Sequence, residues 1–284
     1  MTWQLLTAIS VLGLSTSILL QRVLIYKDKS DPVAYAVLFQ GVVAVLLLIA
    51  ASIVGFNFNG ISDVWLCALA SVLLYGVGHI LYAKTLQHVE ASVFSVLFAT
   101  HAVWVMVVGV VLLHEQLSFL QILGSILLFG SVGLLIKNVK NIAIDKGTLL
   151  GLSTGLVFGG AVSSWSYVGR YADDTLSWAA ISFVASSLAA LLISPRAVYK
   201  MRPFLKPKIL FKLGFLGVFY AVGSAAMLFA YKEGEFSVVS PLRQTGIIVT
   251  VLLALIFMPV ERNRITRKLL ASAICFAGVV LLLL

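Results

Sequence analysis

Arg243 is the residue with the most chemistry to explain. It stands inside an apolar run at 237–257, and its planar guanidinium fork matches a carboxylate or a phosphate. An arginine at the centre of a membrane helix costs about 2.5–3.5 kcal/mol, so it faces protein or a watery cavity. The competing reading is snorkelling, because Arg243 lies only about two turns from the start of its run. Pro241, two residues earlier, frees a backbone carbonyl and can bend the helix. Gln244 and Thr245 add hydrogen-bonding groups beside it.

A second set lies on two other apolar runs. Tyr75, His79 and Tyr82 recur at helical spacing, as do Tyr220, Ser224, Met227 and Tyr231. Tyrosines near a span end serve as interfacial anchors, which is the alternative for Tyr231 and Tyr82. Tyr75 and His79 lie deeper and need partners or water. In the first run Thr7, Ser10, Ser17 and Gln21 form a stripe. Hydroxyls in such stripes glue helices together, so Gln21 is the stronger site candidate. Arg22 beside it reads as snorkelling to the surface. His101, Trp104 and Trp165 could line a cavity, although a lone histidine is commonly structural. The candidate binding set is therefore Arg243, Gln244, His79, Tyr75, Gln21, Tyr82, Trp165, His101 and Ser224. Gly151, Gly155 and Gly159 form a face without bulk that reads as helix packing.

Other chemistries lack their parts. The 11 acids (Asp28, Asp31, Asp63, Glu90, Glu115, Asp145, Asp173, Asp174, Glu233, Glu235 and Glu261) all fall in loops or at span ends. A proton-driven exporter of lipophilic cations uses a membrane-buried carboxylate, and none is available. Lys84, Glu90 and Lys232 read as solvated ends. His88-x-Glu90 and His114-Glu115 are the close His/acid pairs, without a third partner for hydrolysis or a metal. No enzyme, cofactor or metal site is expected. Cys67 and Cys275 sit in apolar runs and imply no disulfide framework.

The elements that position these residues follow from composition. The 284 residues are 61% hydrophobic and 11% charged, with mean hydropathy +1.08, which excludes an ordinary soluble domain. Ten runs are long enough to cross a bilayer. They cover 3–24, 33–54, 64–85, 91–113, 119–136, 147–168, 176–193, 209–231, 237–257 and 269–284. The last can begin nearer Thr266. The first is too long for a signal-peptide core and lacks a basic leader. The expected fold is an all-α membrane protein of ten transmembrane helices.

The halves repeat. Tyr75-Gly76-Val77-Gly78-His79 aligns with Tyr220-Ala221-Val222-Gly223-Ser224. Ser125, Phe129, Val132, Leu134 and Leu135 align with Ser272, Phe276, Val279, Leu281 and Leu282, and Glu115 with Glu261. Five spans per half is odd, so the second half inserts with opposite sense, a construction of secondary transporters. The glutamate segments Val110-Val111-Leu112-Leu113-His114-Glu115-Gln116-Leu117 and Leu255-Ile256-Phe257-Met258-Pro259-Val260-Glu261 each precede a helix of small and aliphatic residues. With Ser240-Pro241-Leu242-Arg243-Gln244-Thr245, the chain resembles the EamA-type drug/metabolite transporter superfamily. The resemblance implies two five-helix repeats, 1–137 and 147–284, joined by a linker at 138–146, around a central cavity. It says little about substrate.

Seventeen of the 20 basic residues lie in or beside alternate loops, those after spans one, three, five, seven and nine. The net charge of +9 is thus a topology signal and not a nucleic-acid surface. It places those loops in the cytoplasm and both termini outside, whereas the resembled family is taken to have cytoplasmic termini. The expected function is transport of a small organic metabolite across the cytoplasmic membrane, with amino acids or other carboxylate-bearing solutes favoured. A drug or metabolite exporter is the alternative, and a non-transporting interaction or receptor protein is the alternative of another class. The expected partners are that small molecule and the lipid bilayer, with the chain a monomer. A proton is the coupling ion to consider, since His79 and His101 have titratable rings.

Overall fold

The computed structural model describes residues 2–28, 31–113, 118–135, 145–233, 242–258, 263–282 and 284. Glu115, Glu235, Ser240, Pro241, Glu261 and most of the 138–146 linker lie outside the described residues, as do the side chains of Arg170, Tyr231 and Lys232. The described chain is helical, without a strand. In chain order the helices are α1 (Trp3–Asp28), α2 (Pro32–Val54), α3 (Trp65–His88), α4 (Ala91–Ala99), α5 (His101–Leu113) and α6 (Phe119–Leu135). Then follow α7 (Lys146–Tyr171), α8 (Thr175–Ile193), α9 (Pro207–Glu233), α10 (Gly246–Phe257) and α11 (Ile265–Leu282).

Eight of the apolar stretches are long enough to cross a membrane; Phe119–Leu135 and Leu242–Phe257 are shorter. Leucine, isoleucine, valine and phenylalanine dominate outer faces as well as the core: Ile53, Leu192, Phe211 and Phe257 are more than 70% exposed. Such faces suit hydrocarbon, and the chain is a multi-pass membrane protein. The acids at span ends act locally. Asp31, Asp145 and Asp174 are N-caps whose carboxylates accept backbone N–H bonds from the first turns of α2, α7 and α8. Partial burial pushes the Asp31 carboxyl up, but Lys200 and the cap amides outweigh it and hold it below its ordinary range.

The halves pack reciprocally. α1 lies along α9 as α7 lies along α3, while α2 meets α8 and α6 meets α11. The last crossing depends on glycine. A Cβ on Gly124 would lie 2.6 Å from the Gly278 carbonyl oxygen, and one on Gly278 would lie 2.7 Å from that of Gly124. Only backbone fits there. The glycine face of α7 does pack: a Cβ on Gly155 would overlap Thr100, and one on Gly159 would overlap Trp104.

The connection from α8 to α9 is an ordered plug. Two 3-10 turns, Pro195–Lys200 and Arg202–Leu205, bring Phe204 (1% exposed) against Tyr35. Lys200 Nζ sits 2.7 Å from Asp31 Oδ2, tying this connection to the start of α2.

Three readings of span ends are corrected. Glu90 is not solvated on all sides, because it forms an ion pair with Lys268, whose side chain is 6% exposed. Arg22 does not snorkel; it is buried and donates to the Leu86 carbonyl oxygen of α3. Tyr82 is buried rather than interfacial. Bilayer-facing composition cannot reveal these, because each depends on which helix lies opposite.

Candidate functional site

His79 lies near the middle of α3 with only 3% of its surface exposed. Six rings from five helices surround it. Phe158 of α7 is nearest, with ring centroids 5.3 Å apart. Phe39 of α2 is at 5.7 Å and Phe183 of α8 at 6.0 Å. Tyr75 and Tyr82, on either side along α3, are at 6.0 and 6.1 Å, and Tyr220 of α9 is at 6.3 Å. Both halves therefore meet on one imidazole. Its Nε2 has no hydrogen-bond partner among the described residues. An unsatisfied buried polar atom costs roughly 1–3 kcal/mol, so this one has a reason to be there.

The fourth span of each half is broken, the first of the two breaks two residues beyond Phe98, whose ring meets Phe158 and Tyr82 of this cluster. Thr100 separates α4 from α5 with φ −59° and ψ −18°, and Thr245 precedes α10 with φ −57° and ψ −20°. Each threonine hydroxyl donates to the carbonyl three residues back, Leu97 at 2.7 Å and Leu242 at 2.6 Å. Side-chain bonding of this kind competes with the helical ladder and often bends it. Discontinuous helices are a device of transporter binding sites.

These breaks carry His101 and Arg243. His101 Nδ1 donates to the Phe98 carbonyl oxygen at 2.8 Å, which leaves Nε2 as the acceptor in the neutral ring. Its ring lies 4.9 Å from that of Phe98. Arg243 is half-buried, two residues before the break at Thr245. No carboxylate pairs with Arg243 among the described residues.

The other candidates divide. Tyr82 belongs to the ring cluster and meets Phe94 at 4.4 Å. Ser224 is one turn from Tyr220 on α9. Gln244 is half-buried beside Arg243. Gln21 lies apart, in the seam between α1 and α9. Its Nε2 donates to Ser17, whose hydroxyl donates to Leu216 of α9, while Oε1 is buried without a partner. Trp165 sits two turns along α7 from Phe158 and donates through Nε1 to Ser182 of α8 at 3.2 Å.

The profile of the EamA-like transporter family matches residues 1–137 and 146–284. The chain belongs to the EamA-like transporter family. That family is one of transporters rather than of enzymes, so this EamA-like chain is a membrane transporter of small solutes. No curated protein matches the sequence. Among solved structures, one crystal structure described simply as a protein aligns over 97% of this chain and 96% of its own, at 16% identity and TM-score 0.57. It is similar in fold.

Phe39, Phe98, Phe158 and Phe183 were not among the sequence candidates. Phenylalanine in an apolar run gives no signal of its own. A signal for Phe98 existed in the repeat. Glu90-x-Ser92-Val93-x-Ser95-x-Leu97-x-x-Thr100 recurs as Glu235-x-Ser237-Val238-x-Ser240-x-Leu242-x-x-Thr245. That register pairs the two break threonines, and it pairs Phe98 with Arg243.

Proposed function

We propose that this EamA-like protein is a secondary transporter that moves a small carboxylate-bearing or zwitterionic organic solute across the cytoplasmic membrane by alternating access. The observation that carries the reading is Arg243, a half-buried arginine two residues before the break at Thr245 with no carboxylate partner among the described residues. A fixed cation in such a place gains most from a solute that brings its own anion. His79 Nε2, buried without a partner, supplies a second polar contact. The surrounding rings suit an organic body. Gln244, Ser224 and Tyr82 flank these groups, whereas Gln21 and Trp165 serve the approaches on either side.

Alternating access requires one end to be closed at a time. At the end where α1 and α3 finish and α4 and α11 begin, several ties hold the bundle together: Glu90 with Lys268, Arg22 with the Leu86 carbonyl, and Lys200 with Asp31. All but the Arg22 tie join the halves. Positive loops gather at this end, which the charge rule assigns to the cytoplasm. The groups that would carry a coupled proton are His79 and His101.

The test is a ligand-stabilisation screen of the purified protein with amino acids, nucleotides and sugar phosphates. A true ligand raises thermal stability by mass action. Carboxylates should stabilise the wild type and lose that effect in Arg243→Gln. Stabilisation confined to solutes without an acidic group, or unchanged in Arg243→Gln, overturns the reading.

A further inference from the structure

Phe98 and Arg243 occupy the same place in the two halves, two residues before the break threonine of the fourth span. α4 and α10 pack against each other, and the Phe98 ring meets that of His101, the first residue of α5 past the break. The repeat thus presents a guanidinium from one half and a phenyl ring from the other.

Phe98 is held rigidly. Its ring stacks on Phe94 with centroids 5.4 Å apart, meets Phe158 edge-on at 4.9 Å and meets Tyr82 edge-on at 5.8 Å. Phe94 and Phe39 are fully covered at 0% and 1% exposure, but Phe98 keeps part of its surface uncovered. An apolar ring fixed by its neighbours and left partly bare offers contact area at little entropic cost.

We propose that Phe98 is a specificity-determining residue: Arg243 holds the carboxylate of the solute and Phe98 covers its apolar body. The transported class is then an amphipathic carboxylate, and Phe98 sets the preference for a large apolar group over a small one. This rests on the carboxylate reading above and adds a separate claim to it.

The experiment measures binding of four probes to the purified full-length protein: alanine, phenylalanine and the carboxamides of both. The wild type should favour phenylalanine over alanine and each acid over its amide. Phe98→Ala should lower the phenylalanine-to-alanine affinity ratio roughly tenfold, the scale of a lost apolar contact, while the acid-to-amide ratio stays. Arg243→Gln should bring the acid-to-amide ratio to about one and keep the size preference. Phe94→Ala, which changes a covered ring, controls for packing, and Phe98→Leu replaces Phe98→Ala if the latter does not fold. Should Phe98→Ala or Phe98→Leu weaken all four probes equally, or leave the size ratio untouched, Phe98 is only packing and the proposal is wrong. If the size ratio follows Phe98 but acids and amides bind alike in the wild type, the carboxylate reading fails instead. If no probe binds the wild type, both fail.

Discussion

A histidine at 3% exposure with Nε2 unsatisfied sets a trade between stability and function. If His79 were there only to fill space, phenylalanine would fill it better, since six aromatic neighbours already surround it. His79→Phe should therefore match or exceed wild-type thermal stability, by up to about 1–3 kcal/mol from the removed orphan atom. Its transport should fall. A destabilised His79→Phe with normal transport would make His79 a structural residue. The sequence marked His79, Tyr75 and Arg243 because polar groups in apolar runs stand out. It could not mark Phe158 or Phe183, which become informative only once α7 and α8 are seen to close on α3.

Helices were legible to within a few residues because hydrocarbon-length apolar runs define them. The break at Thr100 was not, for neither glycine nor proline signals it; Pro241 hinted at its counterpart alone. Helix crossings also escape a linear reading. Gly124 and Gly130 look alike in α6, yet a Cβ on Gly124 meets backbone while one on Gly130 meets nothing within 4 Å. Gly124→Ala should cost roughly 1–3 kcal/mol by forcing α6 from α11. Gly130→Ala should be neutral or gain up to about 1 kcal/mol from helix propensity. Thermal unfolding of the two variants distinguishes them, and equal effects would contradict the crossing. The Glu90–Lys268 pair joins α4 to α11. Its repeat equivalents are Glu235 and Gln121, and Gln121 instead caps α6 by accepting from the Ser118 N–H. The position is thus a lysine in one half and a glutamine in the other. Lys268→Gln should cost on the order of 1–3 kcal/mol, less than a wholly buried pair because Glu90 stays one-third exposed. The double variant Glu90→Lys/Lys268→Glu should recover part of the loss in thermal unfolding. A swap no more stable than Lys268→Gln would mean that the pair does not act as a tie.

For the whole molecule, the two-half construction was visible in sequence through Tyr75 and Tyr220 and the Ser125 and Ser272 segments. The reciprocal packing of α1 on α9 and α7 on α3 has the same pattern. What the sequence could not give was which helix lies opposite a given residue, as with Arg22, which donates to the Leu86 carbonyl of α3. Orientation is argued from charge: seventeen of 20 basic residues flank alternate loops, so both termini are predicted to lie outside. A C-terminal green fluorescent protein fusion should then be dark, and bright cytoplasmic fluorescence would reverse the orientation. The central claim is transport of a carboxylate held by Arg243. Its most direct test is uptake of labelled amino acids and other small carboxylates into proteoliposomes containing wild type, Arg243→Lys or Arg243→Gln at equal reconstitution. The account predicts saturable wild-type uptake, a reduced rate with Arg243→Lys, which keeps charge but loses the fork, and a loss of tenfold or more, about 1.4 kcal/mol or greater, with Arg243→Gln. Uptake by Arg243→Gln at the wild-type rate, or no carboxylate uptake by any of the three, would contradict it.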